Sequence, residues 1–106
     1  MAEQFLYLTT TGRVSGKSHE IEIWYVEHDG KYYILAEHRE KADWVKNIGK
    51  NPYVHVRVGQ RAQDAAARVL DTERDRAVYQ IVQKLMKEKY GWDAGLPVEL
   101  APYATC

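Results

Sequence analysis

Two stretches of alternating residues on either side of an Asp-Gly pair constrain the fold of this chain most. Residues 19–28 alternate between apolar side chains and polar or aromatic ones, and residues 31–37 are rich in aromatic and β-branched or aliphatic residues. Asp29-Gly30 lies between them and is a strong signal for a two-residue hairpin turn. The pattern predicts a β-hairpin whose first strand places Ile21, Ile23 and Tyr25 on one face.

The rest of the chain predicts four further strands and two helices. The strands cover residues 5–8, 53–58, 61–70 and 96–100, and the helices lie within residues 39–49 and over residues 72–90. Thr72 and Asp75 resemble a capping box at the start of the long helix, and Gly91 can end it. We expect Ala62, Ala66 and Val69 to be small enough for tight packing, and Pro97 indicates a strand start or an edge strand.

The order of these elements predicts an α+β fold that is mainly β. Hairpins dominate and no β-α-β repeat is present, so the sheet is expected to be antiparallel. Six strands with one short and one long helix in 106 residues favour a small barrel, because closure removes exposed strand edges. We expect a single domain over residues 1–106, and so short a chain favours a site shared across a homodimer.

Composition excludes several classes of partner. Lys+Arg and Asp+Glu are 15 each, and this zero balance argues against nucleic-acid or acidic-membrane binding. Stacking of single-stranded nucleic acid on Trp24, Tyr32 and Tyr53 is disfavoured for the same reason. The only cysteine is Cys106, which excludes a disulfide within one chain. With no apolar N-terminal run, we expect a cytoplasmic protein without a signal peptide.

Residues 8–17 form a segment of hydroxyl, glycine and cationic residues just before a predicted strand. Gly12 and Gly16 permit positive φ and close backbone approach, and consecutive N–H groups in such turns can bind anions. Arg13 and Lys17 are side chains suited to phosphate. An ordinary polar hairpin loop with two solvated cations is the alternative. The glycine spacing is one residue short of a P-loop.

This loop and the residues that follow it resemble a known family. The motif elements are Thr9-Thr10-Thr11-Gly12-Arg13-x-Ser15-Gly16-Lys17, Trp44-x-x-Asn47 and Asn51-Pro52. Together they resemble the deazaflavin-dependent nitroreductase and quinone-reductase family, a branch of the split β-barrel flavin-binding proteins, over roughly residues 6–70. The resemblance implies a six-stranded split β-barrel of the FMN-binding type, often a homodimer, with coenzyme F-420 or sometimes FMN as cofactor.

The resemblance also implies which residues form the site. The loop is expected to lie at the cofactor phosphate and residues 33–37 along the ring system. Arg39 or Lys41 would replace a lysine of the family, because residues 37–43 depart from its usual Ser-Lys-Gly-Gly segment. The expected cofactor-binding residues are Thr11, Arg13, Ser15, Gly16, Lys17, Ala36, Arg39, Lys41, Trp44 and Asn47, and the expected substrate pocket is Trp24, Tyr90 and Trp92.

Some of these residues have a structural alternative. Trp44 is as well suited to a core as to a pocket wall, and Asn47 could instead cap the segment before Pro52. Tyr90 and Trp92 could form a dimer contact or a lid. Neither His38 nor His55 has a partner at metal-ligand spacing, so we expect no metal site.

Three functions remain open from the sequence. The resemblance implies an oxidoreductase that passes a hydride from reduced deazaflavin to a small electron-poor acceptor: a quinone, a nitro compound or an activated alkene. An FMN-dependent oxidoreductase of the pyridoxamine-phosphate-oxidase-like type is the second, and a cofactor-binding module without turnover is the third. The chain has no obvious nucleophile paired with a base, which suits cofactor chemistry and a non-enzyme equally.

The assignment of Arg13 to phosphate binding predicts the effect of a substitution at this residue. Replacement of Arg13 by alanine is predicted to weaken cofactor binding by about 1–3 kcal/mol, the range for a charge-assisted hydrogen bond. Because the loop is expected to be exposed, the free energy of unfolding is expected to change little.

Overall fold

The computed structural model describes residues 4–103 as one curled antiparallel sheet that carries two α-helices. Cys106 therefore lies outside the described residues. The strands are β1 (Phe5–Thr11), β2 (Ser18–Trp24), β3 (Val26–His28), β4 (Lys31–Ala36), β5 (Tyr53–Val58), β6 (Arg61–Val69) and β7 (Leu96–Pro102). A 3-10 turn at Arg39–Lys41 precedes α1 (Asp43–Lys50), and α2 (Arg76–Tyr90) lies between β6 and β7.

The sheet closes on itself through one bent segment of chain. Its strand order is β2-β1-β5-β6-β7-β4-β3, so the two ends of the sheet are β2 and β3. Only Tyr25 separates these two strands in sequence. The strand predicted over residues 19–28 is thus divided: it pairs with β1 before Tyr25 and with β4 after it. The split β-barrel is confirmed, with seven strands in place of six because of this division.

The interior of the barrel follows the predicted alternation along most strands. Ile21, Ile23 and Tyr25 pack into the interior, as predicted. The members of the interior cluster that are essentially inaccessible to solvent are Leu6, Leu8, Ile34, Val56, Ala65, Val98 and Leu100. Helix α2 covers the outer face of β3 and β4 with Val82 and Met86. The helix therefore completes a second apolar cluster outside the barrel.

The inward face of β6 differs from the prediction. Ala65 and Ala67 are buried, whereas Ala62 and Val69 are exposed. For Ala62 and Ala66 the cause is register: Ala65 stands opposite Val54, whose side chain points into the barrel, so Ala65 and Ala67 share that face and the even-numbered alanines do not. Val69 is exposed at the end of the strand.

The long helix begins four residues later than predicted, at Arg76. The Asp71 carboxylate accepts hydrogen bonds from the Glu73 and Arg74 N–H groups, and the Asp75 carboxylate accepts one from the Asp71 N–H. Asp71 therefore takes the reciprocal role that we predicted for Thr72. Gly91 ends the helix in the left-handed region at φ 76°, as predicted.

Two turn predictions have different outcomes. Asp29 and Gly30 both have positive φ, 53° and 76°, which is the geometry of the predicted tight hairpin turn. Pro97 is the second residue of β7, as expected for a strand start, but β7 lies between β6 and β4 and is not an edge. Within residues 4–103, neither helix has the length and apolar character needed to cross a membrane.

Candidate active site

A groove opens where β2 and β4 separate. The β3–β4 ladder pairs Val26 with Tyr33 and His28 with Lys31. Continued past Tyr25, the same register would place Trp24 opposite Leu35 and Glu22 opposite Glu37. Instead β2 pairs with β1, and these residues form the two walls of the groove. The groove is thus the gap in the barrel.

One half of the groove, here called the apolar compartment, has a volume of about 530 Å³. All three tryptophans of the chain contribute to its lining, together with residues of β2, the end of β4 and the start of α1. Its lining residues are Phe5, Ile21, Glu22, Ile23, Trp24, Leu35, Glu37, His38, Ala42, Trp44 and Trp92. Flat indole walls of this kind suit a planar aromatic ring.

The aromatic wall of the apolar compartment is reinforced from behind by Tyr90. Trp24 stacks on the Tyr90 ring with centroids 4.5 Å apart and an interplanar angle of 7°, and Trp92 meets Trp24 edge-on at 6.1 Å. Trp24 and Trp92 line the compartment, whereas Tyr90 is not among its lining residues. Two of the three residues predicted for the substrate pocket therefore face the groove, and the third supports one of them.

The Tyr90 hydroxyl binds the backbone where the strand changes partner. Its oxygen accepts the Tyr25 N–H at 3.1 Å and lies 2.9 Å from the Tyr25 carbonyl oxygen and 2.7 Å from that of Gln4. Lys89 Nζ donates to the same Tyr25 carbonyl at 3.1 Å. Burial raises the pKa of Tyr90, while the hydrogen bond with the Tyr25 backbone opposes that rise. Tyr90 thus holds backbone and is not aimed at a reacting group.

The other half of the groove, here called the polar compartment, has a volume of about 460 Å³. It adjoins the apolar compartment, because Ile21 and Trp44 line both. Its lining residues are Thr10, Gly12, Arg13, Val14, Ser15, His19, Glu20, Ile21, Asp43, Trp44 and Asn47. The structure thereby brings the predicted loop and the predicted helix positions Trp44 and Asn47 to one surface.

Asn47 joins the loop to the barrel. Its side chain is buried, donates from Nδ2 to Thr10 Oγ1 at 3.2 Å, and accepts the Arg13 N–H at 3.2 Å and Arg13 Nη1 at 2.9 Å. Arg13 also contacts Asp43, with Nη2 3.4 Å from the carboxylate. Sequence reasoning missed this anchor. Its signal was a polar residue beside Ile48 on the buried face of a short amphipathic helix.

The backbone N–H groups of the loop are largely engaged within the protein. Gly12 N–H donates to the Lys17 carbonyl at 2.7 Å, Gly16 N–H to the Gly12 carbonyl at 2.9 Å, and Lys17 N–H to Ser15 Oγ at 3.2 Å. Gly16 has the positive φ expected of it, 73°, whereas a Cβ at Gly12 would lie 2.8 Å from Ser15 Oγ and would make that side chain move. Anion binding by this loop therefore depends on its side chains.

The remaining predicted cofactor residues lie apart from the lining. Thr11, Gly16 and Lys17 belong to the same loop and its preceding strand but are not among the lining residues. Ala36 is buried against Val45 and Leu96. Arg39 lines a separate depression with Leu70 and Asp71, and Lys41 is exposed outside both compartments. Conversely, Glu22, Glu37 and His38 face the apolar compartment, and sequence analysis did not include them in the site.

The two compartments fit a ligand with a flat ring and a polar extension. The ring would lie among the tryptophans, and the extension would reach Arg13, Ser15 and His19. Such a division matches a deazaflavin or flavin with its phosphate. In contrast, residues 4–103 contain no group of three His, Asp or Glu residues that could hold a metal ion. Tyr32 is buried inside the barrel and Tyr53 is exposed, so they do not form the nucleic-acid platform considered with Trp24.

Comparison with known proteins agrees with this geometry. The model of the family described as F420H(2)-dependent quinone reductase matches residues 1–99. A solved F420-H2-dependent reductase, FDR-A, is similar at 29% identity, with 92% of each chain covered and a TM-score of 0.70. A structure described as a domain-swapped dimer has 27% identity over 94% of this chain and 81% of that chain, with a TM-score of 0.68. The heme storage protein HutZ from Vibrio cholerae shares the fold, at 18% identity, 97% and 84% coverage and a TM-score of 0.78.

Proposed function

Because the chain belongs to the F420H(2)-dependent quinone reductase family, we propose that it transfers a hydride from reduced coenzyme F-420 to a quinone or another small electron-poor acceptor. Membership makes it a deazaflavin-dependent oxidoreductase with coenzyme F-420 as its cofactor. The observation that carries the proposal is the two-part groove, in which a tryptophan-lined compartment adjoins a polar one at Trp44. Nitro compounds and activated alkenes are further acceptors of the same electronic type.

Each part of the groove has a separate task in this proposal. Trp44, at the junction, packs on the ring system, and Arg13 and Ser15 bind the phosphate end. Trp24 and Trp92 provide the wall against which the acceptor lies and exclude water from the reacting faces. When bound, the coenzyme supplies the hydride, and the protein contributes orientation and shielding.

A quinone that accepts a hydride also needs a proton to become a hydroquinone. His38 lines the apolar compartment and is exposed, so its imidazole lies between solvent and the place of the acceptor. Tyr90 is unsuited to this task because its hydroxyl is bound to the Tyr25 backbone. His38 is therefore the proposed proton donor, and the chain's other residues act by binding.

A homodimer is part of the proposal. The groove is open to solvent along one side, and the chain is too small to enclose a cofactor of this size by itself. The similarity to a structure described as a domain-swapped dimer supports the same arrangement. Light scattering during size-exclusion chromatography is expected to give twice the mass of one chain.

The direct test is titration of the purified protein with coenzyme F-420 and, separately, with FMN. Tryptophan emission reports on the groove because all three tryptophans line it. We expect micromolar binding of coenzyme F-420, weaker binding of FMN, and oxidation of the reduced coenzyme when a naphthoquinone is added. Preference for FMN would favour the FMN-dependent alternative. Tight binding of coenzyme F-420 without reduction of any acceptor would favour a cofactor-binding module.

A further inference from the structure

Two carboxylates line the apolar compartment from the two sides of the split in the barrel. Glu22 lies on β2 and Glu37 directly follows β4, at positions that the continued β3–β4 register places opposite one another. Both line the apolar compartment, and both are exposed. They therefore lie on the two edges of the groove, here called its lips, which are formed by β2 and by the end of β4. This is the half of the groove that Trp24 and Trp92 also line.

The Glu22 carboxylate has a fixed position. Tyr7 Oη donates a hydrogen bond to Glu22 Oε2 at 2.7 Å, and the side chains of this pair lie opposite each other in the β1–β2 ladder. This hydrogen bond raises the pKa of the Tyr7 hydroxyl. Arg57 shares this face but stacks on the Tyr7 ring, with its guanidinium carbon 4.2 Å from the ring centroid. Glu22 is thus held at the lip.

Cations are distributed unevenly between the two halves of the groove. Among the described residues, the lining of the apolar compartment includes no lysine or arginine, and His38 is its one basic side chain. Arg13 lines the polar compartment instead. Arg39 and Lys41 follow Glu37 closely in sequence but lie outside both compartments. The polar compartment also has two carboxylates, Glu20 and Asp43, but Arg13 accompanies them, whereas Glu22 and Glu37 share the apolar compartment with no lysine or arginine of residues 4–103.

We propose that Glu22 and Glu37 select the acceptor by charge, so that the apolar compartment favours a planar aromatic cation over a neutral acceptor and rejects an anionic one. This proposal rests on the function proposed above. A cation that accepts a hydride becomes neutral, whereas a neutral quinone gains negative charge until it is protonated. Carboxylates near the acceptor oppose the second change and attract the first reactant. Glu22 and Glu37 therefore discriminate between acceptors by the charge that each acceptor carries before and after it takes the hydride.

The test compares three acceptors of similar shape: N-methylphenazinium, a naphthoquinone and its sulfonated derivative. N-methylphenazinium takes a hydride to give its neutral dihydro form, and each naphthoquinone takes a hydride and a proton to give a hydroquinone. The variant carries Glu22→Gln together with Glu37→Gln. The control carries Glu27→Gln together with Glu88→Gln, two exposed carboxylates that line another depression and change the net charge equally.

Comparison of each variant with the native protein cancels the intrinsic reactivity of the acceptors. An exposed charge pair changes affinity by about threefold, so removal of both carboxylates is expected to raise kcat/KM for the sulfonate about tenfold and lower it about tenfold for N-methylphenazinium. The neutral naphthoquinone is expected to change in the same direction as the sulfonate but by less, because it gains negative charge only as it reacts, and high salt is expected to reduce the discrimination of the native protein. The control variant is expected to behave like the native protein.

A second readout separates this inference from the proposed function. Quenching of tryptophan emission by the same three compounds measures their binding to the protein without coenzyme. If the native protein reduces none of them but binds them in the order cation, neutral, anion, the charge selection stands and the proposed function fails. If it reduces them and the Glu22/Glu37 variant keeps the native ratios, or the control variant shifts them equally, the charge selection is overturned.

Discussion

Arg13 shows how one side chain serves both the fold and the site. The sequence predicts phosphate binding by Arg13 in an exposed loop. In the structure its side chain is only 33% exposed, donates to Asn47 Oδ1 at 2.9 Å and contacts Asp43 at 3.4 Å. A guanidinium has five N–H donors, so these contacts leave it capacity for an anion in the polar compartment. The expectation that its loss leaves stability unchanged is therefore revised.

We predict that Arg13→Ala lowers the free energy of unfolding by about 1 kcal/mol, because the hydrogen bond from Arg13 Nη1 to Asn47 disappears, whereas the one from the backbone N–H remains. The same change weakens coenzyme F-420 binding by about 1–3 kcal/mol if the guanidinium contacts the phosphate. Urea unfolding measures the first effect and tryptophan quenching the second.

Asp43→Asn is the matched control for this residue. It removes the negative charge beside Arg13 and leaves the Asn47 contacts in place. Coenzyme binding is then expected to tighten, because the Arg13 charge is no longer partly neutralised. Two results together would show that Arg13 is an anchor of the loop and not a phosphate ligand. Arg13→Ala would destabilise the fold without changing coenzyme affinity, and Asp43→Asn would change neither the stability nor the coenzyme affinity.

At the scale of secondary-structure elements, the end of α2 determines where the barrel opens. The β1–β2 ladder pairs Phe5 with Trp24, and its next step would pair Gln4 with Tyr25. The Tyr90 hydroxyl occupies that step and contacts both backbones. Beyond Tyr25 the chain leaves β1 and joins β4. Tyr90 is therefore a positioning residue, since it fixes the partner change that creates the groove.

We predict that Tyr90→Phe lowers the free energy of unfolding by about 1–3 kcal/mol, because Tyr25 loses backbone hydrogen bonds at a buried position. The phenyl ring keeps the stack on Trp24, so near-ultraviolet circular dichroism from the tryptophans is expected to persist. Coenzyme affinity is expected to fall, because the Tyr90 hydroxyl no longer holds the Tyr25 backbone at the end of the groove.

Tyr79→Phe on the same helix is the control for Tyr90. Its hydroxyl makes only a long hydrogen bond, 3.5 Å, to the Gly95 carbonyl, away from Tyr25. This variant is expected to lose less stability and to bind coenzyme as the native protein does. Equal effects of the two substitutions would show that Tyr90 has no special role in shaping the groove.

At the scale of the whole molecule, one buried carboxylate joins distant parts of the chain. Glu99 on β7 accepts a hydrogen bond from Tyr33 Oη on β4 at 3.0 Å and lies 3.5 Å from Arg68 on β6. Arg68 in turn contacts Asp75 at 3.1 Å, at the start of α2. Burial, followed by the hydrogen bond to Glu99, raises the pKa of Tyr33 to about 12.

This shift predicts a loss of global stability in alkali. The ordinary pKa of tyrosine is 10.0, so above that pH the unfolded chain releases the Tyr33 proton while the folded chain still holds it. The contribution is complete below pH 10 and declines as the pH rises toward about 12. Urea unfolding across this range is expected to show a shallower decline for Tyr33→Phe. Tyr53→Phe, at an exposed tyrosine, is the control and is expected to keep the native dependence of unfolding free energy on pH. The prediction is contradicted if Tyr33→Phe shows the same dependence as this control.

Local rules were sufficient for much of this fold. The Asp29-Gly30 turn, the alternation of β2 and β5, and the helix end at Gly91 all agree with prediction, because φ preferences and period-two or 3.6-residue patterns are properties of neighbouring residues. The prediction for Ala62 was wrong because a residue on another strand decided: Val54 set the face of β6. The prediction for Thr72 was wrong because its neighbour Asp71 accepts the hydrogen bonds before the helix. The family followed from the motif, which left coenzyme F-420 and FMN open as the cofactor, and the family match supports coenzyme F-420.

The sequence alone determined the antiparallel split barrel, the loop of hydroxyls and cations, and the deazaflavin family. Only the tertiary structure decided that the groove is the gap between β2 and β4, that Asn47 anchors Arg13, and that Glu22 and Glu37 stand on opposite lips. The reason is physical: these contacts join residues far apart in sequence, and closure of the sheet at Tyr25 brings them together. Local patterns carry no information on such closure.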